Sequence, residues 1–406
     1  MAQQAHDGSL ERELLTIALG AIGIGLLARY RRYVRPGGVV AVLLLLYVCW
    51  SGLSLTWAAD AALTFRRLIA YLLLLVFAAG LVVRMDLRIL GRFILMMPIV
   101  DLVPGIIAEI RFNNFHPFSA GHRFGGTVHP NLEGASLSLG LIILCWMMWR
   151  SHPAVRRNAL WGGAVLLLFL LMTGSRTSMI ALSVALGCSA LLVYLRAWKA
   201  PVARPSGRIA LATGVLVVVL SGATAIAVTP SLVNAVGTQR DDGDVSELTG
   251  RTDVWQMCLS YAADHPLLGV GFEGFWTDDH IEAISQHAHW PVNQAHSAYL
   301  DQVLALGVIG TGFYLLLLVA GLSTCVYRFL RGDDSYGAWS ALLIFALVHN
   351  LTESINVLPS YPNFVVNLLL LHLALIPWTT RPGGMASHVT HVRGRGTRAI
   401  GWVPSA

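Results

Sequence analysis

The sequence predicts an all-α polytopic membrane protein of about 11–12 transmembrane helices with one large outer loop. Three observations carry that prediction. First, of 406 residues 55% are hydrophobic and only 12% are charged, against about 25% charged in a soluble domain. The two or three soluble domains that such a length suggests would lack the polar side chains to wet their surfaces. Second, the chain divides into eleven apolar runs, each near the roughly 17–25 residues that cross a hydrocarbon core. Third, Lys and Arg alternate from one connection to the next. Five cysteines in 406 residues exclude a small disulfide scaffold, and four of them (Cys49, Cys145, Cys188, Cys325) lie inside apolar runs.

The runs fall near 14–28, 39–56, 64–83, 88–108, 132–149, 158–174, 178–195, 209–228, 298–325, 337–350 and 363–378. The first is short, but Asp7, Glu11 and Glu13 before it have the wrong sign for a signal peptide, and no small-residue cleavage site follows. It is read as a retained helix. The run at 337–350 is short as well and is expected to extend. The organisation that results is 1–228 for helices one to eight with an outer loop at 109–131, 229–297 for a large outer loop, 298–378 for the last three helices, and 379–406 for a basic tail.

Twenty of the 28 Lys and Arg residues fall on one side of this arrangement, which the positive-inside rule assigns to the cytoplasm. The other eight are Arg12, Arg66, Arg67, Arg111, Arg123, Arg176, Arg240 and Arg251. The expected topology is therefore N-terminus outside and C-terminus inside. The net charge of +6 is then an orientation signal, and no nucleic-acid partner is expected.

The outer loop at 229–297 is too long for a turn, and loops of that size are usually functional. It begins acidic (Asp241, Asp242, Asp244, Glu247) and continues with Trp255, Tyr261, Phe272, Phe275, Trp276 and Trp290. Thr252–Ala263 has helical spacing, and DHPLLGVGFEGF at 264–275 reads as a turn, a short apolar piece and a glycine-permissive loop. So many aromatics predict a partial lid packed over the bundle.

Ionisable residues at membrane depth are candidates for function because they are expensive there. Arg176 sits in TGSRTSM at the outer rim, where Gly174 and Ser175 permit a turn; alone it reads equally as a snorkelling arginine. Arg251 in GRTDVW reads equally as a surface pair with Asp253. Arg66 and Arg67 read as interfacial anchors. Asp101, between Pro98 and Pro104, reads as structural, in a stretch whose freed backbone groups need partners. His287, His289 and His296, like His116, His122 and His129, form no ligand spacing such as HExxH, so no metal and no cofactor is expected. His296 stands where the outer loop re-enters the membrane, and an imidazole there suits a general base, although a lone histidine at a helix start reads more often as structural.

These segments resemble the bacterial O-antigen ligase family, which includes related O-antigen and exopolysaccharide polymerases. The most specific match is His296-Ser297, nine residues, Gly307, two residues and Gly310. GGTVHPNLEG (125–134), TGSRTSM (173–179) and the stretch 250–275 are similar to further family segments in the family's order. The resemblance implies a membrane glycosyltransferase bundle of the GT-C type, usually with about twelve helices, one more than is read here. It implies that Arg176 and Arg251 are the family's two essential arginines and His296 its essential histidine. By that resemblance the donor is a glycan on undecaprenyl diphosphate, and the enzyme sits in the bacterial inner membrane with its site facing the periplasm.

The residues fit that chemistry. Two guanidiniums suit a diphosphate leaving group, in a reaction independent of metal, and His296 suits removal of a proton from an acceptor hydroxyl as it attacks with inversion. Arg123, His129 and Asn131 are further candidates for contact with sugar or diphosphate, with Asn131 equally an N-cap. Trp255, Phe275 and Trp276 are candidates for stacking on sugar rings or for lid core. Glu353 and His349 are candidates for orienting the acceptor. The expected activity is O-antigen ligase joining glycan to lipid A–core. The alternatives are a polymerase extending lipid-linked repeats and, from another class, a transporter of lipid-linked glycan, whose internal repeats are not seen.

Overall fold

The computed structural model describes residues 10–117, 119, 122–150, 153–198, 249–354 and 360–376. The predicted eighth run (209–228), the acidic stretch at 241–247 and the basic tail (379–406) lie outside the described residues. The other ten runs are helices: α1 Leu10–Tyr30, α2 Gly38–Leu53, α3 Ala61–Arg84, α4 Leu87–Arg111, α5 Pro130–Arg150, α6 Pro153–Thr173, α7 Arg176–Trp198, α10 Ala298–Leu330, α11 Ser335–His349 and α12 Tyr361–Leu375. Two more, α8 Thr249–Asp264 and α9 Asp278–Ala288, belong to the large loop. Among the described residues there is no strand. Among the described residues seven helices, α1 to α5, α7 and α10, are long and apolar enough to cross a membrane, and α11 and α12 are shorter apolar helices.

Local signals place the helix starts. Asp60 accepts from Leu63 N at 2.9 Å and Asp86 from Ile89 N at 2.8 Å, satisfying amides that a helix N-terminus leaves open. Pro130 and Pro153 open α5 and α6, where a missing N–H costs nothing. Leucines and isoleucines such as Leu14, Ile24, Leu45 and Ile107 remain exposed on the outside of the bundle, as lipid-facing positions do.

Two irregularities bear on the site. In α4, Pro98 has no N–H for the Ile94 carbonyl, and the Tyr361 hydroxyl donates to that oxygen instead. Asp101 meanwhile accepts from Thr127 Oγ1 at 3.3 Å. The carbonyl freed by the proline is therefore satisfied by a donor from another helix, which a carboxylate could not supply.

The second irregularity interrupts α10 at Gly307, whose φ of 65° and ψ of −173° are not helical. The 264–276 segment docks into this break. Val270 N donates to Leu304 O at 3.0 Å, Gly271 N to Ala305 O at 2.9 Å, and Val308 N to Pro266 O at 2.9 Å. Trp50 Nε1 takes Leu306 O at 3.2 Å. A Cβ on Gly307 would lie 2.2 Å from the Leu267 carbonyl, and one on Gly310 would lie 2.8 Å from the Trp50 ring. Both glycines of the His296 motif thus hold the lid against the bundle. Leu267 and Leu268 stay exposed beside Val308 and Ile309, continuing the apolar outer belt.

The lid has its own small core of Val254, Cys258, Phe275, Trp276, Ile284 and Val292, reaching Leu304 of α10. α9 was not evident in the sequence reading. Its signal is present nonetheless: Thr277 before Asp278 and Asp279, with the Thr277 side chain capping His280 N.

Candidate active site

Helix starts from four parts of the chain meet at one end of the bundle: α5, α7, α8 and α10, together with the turn that follows α11. At their centre is Glu353, 4% exposed. One carboxylate oxygen accepts from Arg251 of α8 and from the Asn131 amide of α5. The other lies 3.2 Å from His296 Nδ1. With its proton on Nδ1, the imidazole donates to Glu353 and leaves the Nε2 lone pair outward. Burial alone would raise the Glu353 pKa, but the hydrogen bond and charge of His296, then Arg251 and His349, hold it below the ordinary carboxylate value.

The arginines are arranged around this carboxylate. Arg251 also donates to Thr352 O, so its fork spans the turn; Asp253, its other candidate partner, makes no pair with it. Arg123 donates to Thr173 O at 2.9 Å and to Asn131 Oδ1 at 2.5 Å. Asn131 therefore relays between Arg123 and Glu353. Arg176 opens α7 and is exposed, with no hydrogen bond or ion pair among the described residues. Its neighbour Thr177 joins the turn through Thr352, Oγ1 to Oγ1 at 3.1 Å. Arg251 thus pairs with the carboxylate directly and Arg123 reaches it through Asn131, while Arg176 stands exposed at the rim.

His129 is exposed at the edge of the same group, its Nδ1 accepting from Asn131 N at 3.3 Å. Its pKa is lowered, first by desolvation and then by Arg123, His296 and Arg251, while Glu353 pulls it up. His349 is buried beneath, 3.1 Å from Ser178 Oγ. Asn350, in an apparent Asn-Leu-Thr sequon, is fully buried and donates to Tyr314 Oη at 3.1 Å.

His296 is held in a left-handed conformation, φ 50°, which non-glycine residues adopt rarely. Its neighbour is pinned on both sides: Ala295 N donates to Asp301 Oδ1 at 3.0 Å, and Ala295 O accepts from Trp255 Nε1 at 2.8 Å. Asp301 also accepts from Ser354 and from Trp276 Nε1, the latter at 2.9 Å. One carboxylate therefore fixes the segment bearing His296 and the segment bearing Glu353.

The structure brings together Arg123, His129, Asn131, Arg251 and His296, with Arg176 at the edge. Trp255 and Phe275 pack in or against the lid core, and Trp276 is buried within it. Among the described residues no group of three or more His, Cys, Asp and Glu side chains is arranged to hold a metal. The residue whose centrality the sequence least revealed is Glu353. Its only signal was position, at the end of an outer helix in an otherwise apolar stretch.

Fold and rim together define a multi-pass all-α membrane protein with a polar, arginine-rich site at one end of its bundle. The O-antigen ligase family model matches residues 161–315, a span that holds Arg176, Arg251, His296 and both motif glycines. The exopolysaccharide production protein ExoQ of Rhizobium meliloti (strain 1021) is 26% identical over 325 residues, covering 74% of this chain and 70% of that protein. Together these matches support a likeness to the O-antigen ligase-related family.

Proposed function

We propose that the protein transfers a glycan from undecaprenyl diphosphate to a sugar hydroxyl at the periplasmic face of the inner membrane. The observation that carries this reading is the His296–Glu353–Arg251 network. Glu353 keeps the proton on Nδ1, so Nε2 accepts the proton of the acceptor hydroxyl as that oxygen attacks the anomeric carbon. General-base catalysis of this kind contributes about 10²–10⁴-fold. Arg176 and Arg251 receive the charge that develops on the diphosphate as the glycosidic bond breaks, a role in which bidentate guanidiniums are effective. Arg123, through Asn131, keeps Glu353 placed. The attack inverts the anomeric centre and needs no metal or other cofactor.

The acceptor decides the biological role. Ligation onto lipid A–core is the first reading, supported by the O-antigen ligase model's span across the His296 motif. Polymerisation of lipid-linked repeats is the second, favoured by similarity to a protein of exopolysaccharide production. Deleting the gene and profiling the host's glycans tests both. Polymer left on its lipid carrier with uncapped lipopolysaccharide is the ligase outcome, and glycans reduced to single repeats are the polymerase outcome. Restoration by wild type and by His296→Ala alike removes the proposed chemistry.

A further inference from the structure

Three lid tryptophans lie near the rim, and they are not equivalent. Trp255 donates its indole N–H to Ala295 O, and Trp276 donates to Asp301 while buried among Val254, Cys258 and Phe275. Both are committed to holding the lid. Trp290 is half-buried, and its indole N–H has no acceptor among the described residues. Its ring centroid lies 5.5 Å from that of His296, with the planes tilted by 45°.

The backbone around it is built to hold that position. His289, which ends α9, and His296 both have left-handed φ, 60° and 50°. Between them Val292 N donates to Ser285 Oγ at 2.9 Å and Ala295 is pinned as described above. Strained non-glycine residues persist only where the surroundings over-determine them, and they gather at ligand-binding positions. Here two of them bracket one tryptophan.

We propose that Trp290 is the platform for the acceptor sugar. Its half-buried ring stacks on the sugar whose hydroxyl is presented to His296 Nε2, and its N–H donates to an oxygen substituent of that sugar. The inference rests on reading His296 as the base. A base must lie about 2.6–3.2 Å from the oxygen it deprotonates, which puts the nucleophile's own ring beside the imidazole. The donor's diphosphate is assigned to Arg176 and Arg251, and the ring in contact with His296 is that of Trp290. Aromatic rings suit this role because a sugar offers an apolar ring face with polar edges, as an indole does.

The test uses the full-length enzyme in nanodiscs with the host's lipid-linked glycan as donor. The acceptor is either the host's core oligosaccharide or its lipid-linked repeat, each titrated separately. For Trp290→Ala the KM for whichever acceptor is used should rise about tenfold or more, exceeding any fall in kcat. The donor KM should stay unchanged, and Trp290→Phe should recover most of the loss. A rise in donor KM alone, or no change in either KM, overturns the platform. His296→Ala runs in parallel: if it retains transfer, the base reading fails. If it abolishes transfer while Trp290→Ala leaves acceptor KM unchanged, only the platform fails.

Discussion

At one end of the α10–α11 pair, the buried Arg328 guanidinium donates to the Tyr336 hydroxyl and sits 4.8 Å over the same ring. Beside it His372 stacks on Trp339, with planes 6° apart, and Arg196 pairs with Asp334 at 2.5 Å. At the other end Arg251, His296 and Glu353 use similar side chains. There, however, the backbone at His296 is strained, and among the described residues Arg176 is exposed without a partner and the Trp290 N–H has no acceptor. In the first cluster both arginines are engaged, as buried charge in a membrane protein must be to be tolerated, while His372 Nδ1 is buried without a partner among the described residues. The second keeps donors and a lone pair in reserve. The difference between them is accessible capacity rather than composition: the unpartnered His372 nitrogen is buried, whereas Arg176 is exposed and Trp290 half-buried.

The largest expected effect tests this contrast directly. His296→Ala should lower transfer by about 10²–10⁴-fold in membranes containing normal amounts of folded protein. Arg328→Met should leave transfer per folded molecule nearly unchanged. Comparable losses from the two variants would mean that the Arg328 cluster also serves the reaction.

Next in size, Arg251→Ala should cost about 10²–10³-fold, the usual loss when one donor to a developing negative charge is removed. Arg251→Lys should recover little of it. A lysine ammonium is a point charge and cannot span Thr352 O and Glu353 as the planar fork does. Full rescue by lysine in the same transfer assay would reduce Arg251 to a general positive field.

The contrast also explains what was legible in the sequence. Arg176, Arg251 and His296 could be placed on the outer side because charge alternation and apolar length fix position without knowledge of packing, but the roles expected of them came from the family resemblance. Ten helices were readable for the same reason: apolar length is a one-dimensional property. The role of Glu353 was not, because it comes from three partners far apart in sequence: Asn131, Arg251 and His296. Nor could the tryptophans be sorted. Whether an indole is core or platform depends on where its N–H finds an acceptor, and only the folded lid decides that for Trp255, Trp276 and Trp290. The break at Gly307 was hidden because a glycine inside an apolar run also reads as ordinary close packing.

A smaller effect should appear at the Arg328 end. Arg328→Met removes one donor to the buried Tyr336 hydroxyl, which keeps only His372 Nε2 at 3.3 Å. The expected loss is about 1–3 kcal/mol of stability, read as a lower unfolding temperature in detergent. An unchanged unfolding temperature would show that the cluster contributes no net stability, as replacing a buried charge by an apolar side chain sometimes does.

The smallest effect is one of pH, and it too should distinguish the two ends. The Glu353 pKa is lower in the folded protein than the ordinary value of 4.5, because His296, Arg251 and His349 outweigh the cost of burial. A carboxylate with a depressed folded pKa contributes stability that is fully present above its unfolded pKa and is lost as pH falls through the folded one. The Glu353 contribution should therefore be constant from neutral pH down to about pH 5 and decline only below the ordinary carboxylate range. Glu353→Gln should lower the unfolding temperature at neutral pH, and its difference from wild type should shrink on acidification below that range. The Arg328→Met difference should not follow the same course, because Arg328 is held by a tyrosine rather than a carboxylate. If the Glu353→Gln difference instead vanished between about pH 7 and pH 5, Glu353 would be raised rather than depressed, and His296 would have lost the ionised partner that fixes its tautomer.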